Sequence, residues 1–162
     1  MRTIRTKVYN FNELVVDAQQ NAIENNSNIN VEHDWWIFTY EDANMIGLKL
    51  TGFNLEYNII ADGKFINDAH DCATKIIKHH GEDCESYSFA VGYLSAYDNI
   101  QSGEEDNQDL EEIDDEFLHN ILCYYAEYLQ KECDYLQTEE AIRETLISNE
   151  YEFLKDGSNY TL

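Results

Sequence analysis

"DLEEIDDEFLHNILCYYAEYLQKECDYL", residues 109–136, decides the fold. Leu110, Ile113, Phe117, Ile121, Tyr124 or Tyr125, Tyr128 and Tyr135 or Leu136 recur at intervals of three and four, which lays one apolar stripe along a helix. Unbroken, it is the longest helix the chain can form, roughly 43 Å at 1.5 Å per residue. Its beginning overlaps "QSGEEDNQDLEEIDDE", residues 101–116, which holds nine carboxylates and no Lys or Arg. A helix that must bury Ile113 and Phe117 therefore carries a dense negative charge on its other side.

Outward from this segment the periodicity alternates. Toward the N-terminus, "TIRTKVYNF" has the alternation of a strand, and "NFNELVVDAQQNAIENN" reads as a helix. Asn10 or Asn12 would cap that helix, and Leu14, Ala18, Ala22 and the neighbouring Val15 and Ile23 give it helical spacing. "NVEHDWWIFTYEDANMIG" is read as a second helix stopped by Gly47, with Val31, Trp35, Phe38 and Met45 on one stripe and Trp36 and Tyr40 beside it. "LKLTGFNLEYNIIADGKFI" changes to period two, with a kink expected at Gly52 and a hairpin turn at Asp62-Gly63. "NDAHDCATKIIKHHG" is a helix capped by Asn67 or Asp68, and a short helix is expected over 87–97. After the long helix, Thr138 opens another through Ile147, and "YEFLKDGSNYTL" gives a strand and a turn. Strands near both ends and in the middle, with helices between, predict a single α+β domain over 1–162. Its helices would pack on one face of a small antiparallel sheet, and 98–109 would form an acidic loop.

The net charge is −23, and residues 80–162 carry −19 of it, with 22 acids against Lys131, Arg143 and Lys155. Such a field repels phosphate backbones and anionic lipid and draws the protein to cationic surfaces. Direct nucleic-acid or membrane binding is therefore not expected. The N-terminal basic residues have no apolar run behind them, and Cys72, Cys84, Cys123 and Cys133 are too sparse for a secreted disulfide framework. Both observations point to a soluble cytoplasmic protein.

Chemistry-bearing patterns are few. Cys72, His79, His80 and Cys84 cluster in sequence, but zinc sites favour short C-x₂₋₄-C pairs, and a buried cysteine beside histidines at a helix C-terminus explains them as well. "HGE" at 80–82 lacks the P-C-x-x-C partner of a zinc deaminase, since the chain has no proline. A calcium loop started at Asp106 would need glycine where Glu111 stands. No phosphate-binding loop or nucleophile elbow is present, and carboxylates are too many for one catalytic pair to stand out. The reading is a non-enzyme without cofactor or metal.

Three uses of the acids compete: a solvated face, a flexible acidic tail, or a rigid imitation of nucleic acid. Duplex DNA carries about one charge per 1.7 Å, and a helix holds carboxylates at comparable spacing on fixed positions. The expected interface is Glu104, Glu105, Asp106, Asp109, Glu111, Glu112, Asp114, Asp115 and Glu116, with Asp109, Glu112 and Glu116 three and four apart on one helical face. Trp36 and Tyr40 form a secondary candidate surface. Tyr97, Phe117, Tyr124, Tyr128 and Tyr135 would supply apolar anchors.

The segments "VYNFNELVVDAQQNAIENN", "INVEHDWWIFTYEDANMIGLKLTGFNLE", "GKFINDAHDCATKIIKHHGEDCESY" and "DEFLHNILCYYAEYLQKECDYLQTEEAI" resemble a family of small phage and prophage proteins with an INV-x-x-D-W-W-x-x-x-Y-E-D-A core. Asp34, Trp35, Trp36, Tyr40, Glu41, Asp42 and Ala43 carry the likeness without assigned roles. Some proteins of this look are similar to anti-CRISPR inhibitors of Cas9 systems. The resemblance thus implies a phage counter-defence protein that binds the cationic groove of a host nuclease, Cas9 with its guide RNA foremost. The alternatives are a restriction-enzyme inhibitor built on the same mimicry, and an acidic phage regulatory or assembly partner with no nuclease target.

Overall fold

In a computed structural model, which describes residues 5–103 and 109–160, the long periodic segment forms one helix. It is α5, Leu110–Leu136, the fifth in chain order of six α-helices among the described residues. Its buried positions are Ile113, Phe117, Ile121, Tyr125, Ala126 and Leu129, so the three-and-four spacing is realised. Tyr128 and Tyr135, expected on that stripe, are instead about half exposed.

The chain folds as two compact units, Met1–Trp35 with Glu132–Leu162, and Trp36–Lys131. In the second, α2 (Ile37–Met45) leads through Gly47 into the antiparallel strands β2 (Leu48–Asn54) and β3 (Ile60–Phe65), followed by α3 (Ala69–His79), α4 (Glu85–Ser102) and most of α5. Ala43, Ile46, Leu48, Ile76, Ala90, Ile121 and Tyr125 belong to its core. Phe117 stacks on Phe65 at 5.8 Å and on Tyr93 at 4.7 Å between ring centroids, which ties α5 to the strand pair and to α4.

In the first unit, β1 (Tyr9–Asn10) pairs antiparallel with β4 (Glu152–Phe153). Phe11, Leu14, Ala18, Ala22 and Ile23, the last three from α1 (Val16–Asn25), pack with Ile142 and Leu146 of α6 (Glu139–Ser148) and with Phe153. Thr138 caps α6, its hydroxyl accepting from the Ala141 amide at 3.2 Å, and Asp68 caps α3 in the same way at 2.7 Å. The α+β class is as expected. The strands divide between two two-stranded sheets, because the terminal strands pair with each other and the middle strands with each other.

Four local expectations are corrected. Residues 31–36 are turns rather than helix, since the Asn30 amide donates to the Leu136 carbonyl and accepts from the Thr145 hydroxyl, which holds the chain out of a helical path. In α2 the buried residues are Thr39 and Ala43, followed by Ile46, while Phe38 is 75% and Met45 52% exposed. Asp62-Gly63 lies inside β3, and the hairpin turns at 55–59, where the Asn54 side chain accepts from the Glu56 amide. Gly63 is required for a different reason: a Cβ there would stand 2.8 Å from the Lys49 carbonyl oxygen and 3.0 Å from Leu122. The kink expected at Gly52 does appear, as a break in register between Leu50 and Gly52. Lastly, α4 extends to Ser102, so 98–102 are helical and not loop; Gly103 ends the helix at φ 73°.

Gly92 sits inside α4, where a Cβ would meet nothing within 4 Å. Glycine weakens a helix interior and no neighbour requires it here. Gly92→Ala is expected to stabilise the protein by about 0.5–1 kcal/mol, measured by urea unfolding.

Candidate functional site

The acidic face is built by the first two turns of α5. Ile113 and Phe117 are buried, and Glu111, Glu112, Asp115 and Glu116 are exposed beside them. Residues three and four apart share a helical face, so these side chains form one contiguous carboxylate surface. Among the described residues none of them is paired with a Lys, Arg or His. Glu111 and Glu112 in the first turn also favour the positive end of the helix dipole, which helps set the helix start.

Two of the expected interface acids are committed elsewhere. Asp114 is half-buried and accepts the Tyr93 hydroxyl at 2.7 Å, joining α4 to α5. Burial, and then this bond to Asp114, raise the Tyr93 pKa. Asp109 precedes the helix, and its carboxylate accepts from the Glu111 amide at 3.3 Å. It therefore acts at the helix start, and does not share a helical face with Glu112 and Glu116 as the spacing predicted. Glu104, Glu105 and Asp106 lie outside the described residues.

Trp36 and Tyr40 are half-buried, and both meet the Phe53 ring edge-on, at 5.4 and 6.3 Å. Burial, with the Asp62 charge second, raises the Tyr40 pKa. These two aromatics are thus held by β2, whereas the acids are held by α5. The more exposed apolar side chains of α2 are Phe38, Met45 and Ile37.

A partly buried polar network has no signal in the sequence, because its members are far apart. The Tyr125 hydroxyl donates to Asp42 Oδ2 at 2.7 Å across 83 residues, His80 Nε2 lies 3.6 Å from that same oxygen, and His80 Nδ1 is 2.7 Å from Ser86 Oγ. Serine, histidine and aspartate in line invite a hydrolase reading. Ser86 has no exposed surface, however, so its hydroxyl is closed to solvent and its contact with His80 is an internal one. At 3.6 Å the His80–Asp42 approach is an electrostatic contact rather than a close hydrogen bond.

His80 lowers the Asp42 pKa most; partial burial opposes this, and the Tyr125 hydroxyl adds to the lowering. A carboxyl whose folded pKa is depressed contributes stability that is complete above its unfolded pKa and lost as pH falls through the folded one. Wild type should therefore lose its stability advantage over Asp42→Asn as pH drops below about 4. Urea midpoints of both proteins from pH 7 to pH 3 check this; a constant difference across the range contradicts it.

Cys72 is buried in the core, and burial pushes its thiol up to about 12, far from the thiolate a metal needs. Among the described residues no three His, Cys, Asp or Glu side chains group as a metal site would require. None of the described helices is long and apolar enough to cross a membrane. No family model, curated protein or solved structure matches the chain.

Proposed function

We propose that the protein is a non-catalytic inhibitor that seats its acidic helix face in the cationic nucleic-acid groove of a host nuclease. The carrying observation is the preformed carboxylate surface Glu111, Glu112, Asp115 and Glu116, backed by Ile113 and Phe117. A flexible acidic tail would lose conformational entropy on docking; carboxylates on a packed helix lose much less. The protein's own charge of −23 disfavours phosphate and favours the Lys and Arg that otherwise hold phosphate.

Guide-loaded Cas9 is the first target to test, because the resemblance of the INV-x-x-D-W-W core points to phage counter-defence. A restriction enzyme offers the same kind of groove. Cleavage assays with purified protein across several Cas9 orthologues and restriction enzymes address both. Inhibition at near-stoichiometric protein, relieved by added salt, is the expected outcome. No inhibition of any of them would favour an acidic regulatory or assembly partner, for which a pull-down from host lysate at low and high salt is the direct assay.

A further inference from the structure

Between α4 and α5 the second unit has a groove of about 260 Å³. Phe89, Gly92 and Ala96 line it from α4, and Glu116, Phe117 and Asn120 from α5. Gly92 lies at the groove with open space where a side chain would be, at a helix-interior position that favours alanine over glycine. Phe117 cannot move to fill the groove, being stacked on Tyr93 and Phe65. The result is an open slot with aromatic and small-residue walls and an unpaired, exposed carboxylate, Glu116, at its edge.

We infer that this groove receives an arginine side chain presented by the protein's cationic partner. The walls suit the aliphatic stem, and the half-buried Phe89 offers ring surface to a planar guanidinium. Glu116 can accept the guanidinium fork through both carboxylate oxygens, and the Asn120 amide oxygen is a further acceptor. Lysine has the stem and the charge but neither the planarity nor the fork, so arginine is preferred. The surrounding charge, from Glu112 and Asp115 beside Glu116, has the sign that draws such a group in. This inference rests on the acidic face being the partner surface, and it adds a shaped socket to that face.

The test uses the intact protein, labelled with nitrogen-15, and two capped tripeptides, Gly-Arg-Gly and Gly-Lys-Gly. The arginine peptide should shift amide resonances centred on Gly92, Phe117 and Asn120, and bind at least about fivefold more tightly than the lysine peptide. Gly92→Leu, which fills the groove with a good helix former, and Glu116→Gln should each weaken arginine-peptide binding about tenfold. Glu144→Gln on α6 should leave it unchanged. Shifts spread evenly over the exposed acids, or equal affinity for the two peptides, would overturn the socket whether or not the variants fold.

The two readings fail separately. Peptide binding in the groove without inhibition of any nuclease would keep the socket and remove the nuclease. Full nuclease inhibition by a folded Gly92→Leu protein would do the reverse.

Discussion

Replacing Glu112 by Gln, Asp115 by Asn and Glu116 by Gln together is expected to weaken binding to the proposed nuclease target by at least about a hundredfold. A carboxylate that meets Lys or Arg in a partly desolvated groove contributes about 1–3 kcal/mol. Three such contacts at about 2 kcal/mol each, discounted for mutual dependence, still exceed the ~2.7 kcal/mol that a hundredfold change requires. Folding should barely respond. All three side chains are exposed and unpaired among the described residues, and the amides keep their size. Only Glu112, in the first turn of α5, has a favourable dipole interaction to lose, and at an exposed site that is about 0.3–1 kcal/mol. A variant with wild-type potency and a wild-type melting curve would reduce the acids to a solvated face. The exposed Phe38 and Met45 of α2 would then become the next surface to mutate.

The largest expected effect on stability is at Gly157. Its φ is 86°, in the left-handed region, and a Cβ there would overlap the Ala18 carbonyl oxygen and stand 3.1 Å from the Ala22 amide nitrogen. Ala18 and Ala22 are both buried, and the 154–158 turn is closed by the Leu154 amide on the Ser158 carbonyl at 2.8 Å, so neither side can retreat easily. Left-handed backbone costs a substituted residue about 1–2 kcal/mol and overpacking about 1–3 more. Gly157→Ala should therefore destabilise the first unit by about 2–5 kcal/mol, read as an early unfolding step or a lowered urea midpoint. A midpoint within error of wild type would mean that the turn is free to move away from α1.

What the sequence made legible was whatever depends on neighbours three or four residues away. Thr138, and Asp68 as one of two candidates with Asn67, were readable as caps because a cap bonds within one turn, and the α5 stripe because helical burial has a fixed period. The exposed acids of α5 were readable as the complement of that stripe. Glycine was ambiguous: Asp62-Gly63 has a turn's composition, but Gly63 is there to let Lys49 and Leu122 come close, and that reason exists only in three dimensions. Tyr93–Asp114 and Tyr125–Asp42 are long-range pairs with no local signal, so Asp114 looked like one more interface acid when it is a structural acceptor. The α2 stripe failed because alanine and threonine, not the larger Phe38 and Met45, face the core where α2 packs close.

The central claim is that the α5 carboxylates take the place of phosphates in a cationic groove. Its most direct test is the affinity of the wild-type and triple-variant proteins for guide-loaded Cas9, measured side by side from about 50 mM to 500 mM salt, a range over which screening grows strongly. Wild-type affinity is expected to fall steeply with salt, and the variant to bind at least about a hundredfold more weakly at low salt with a shallower dependence. Equal affinities and parallel salt slopes for the two proteins would contradict it.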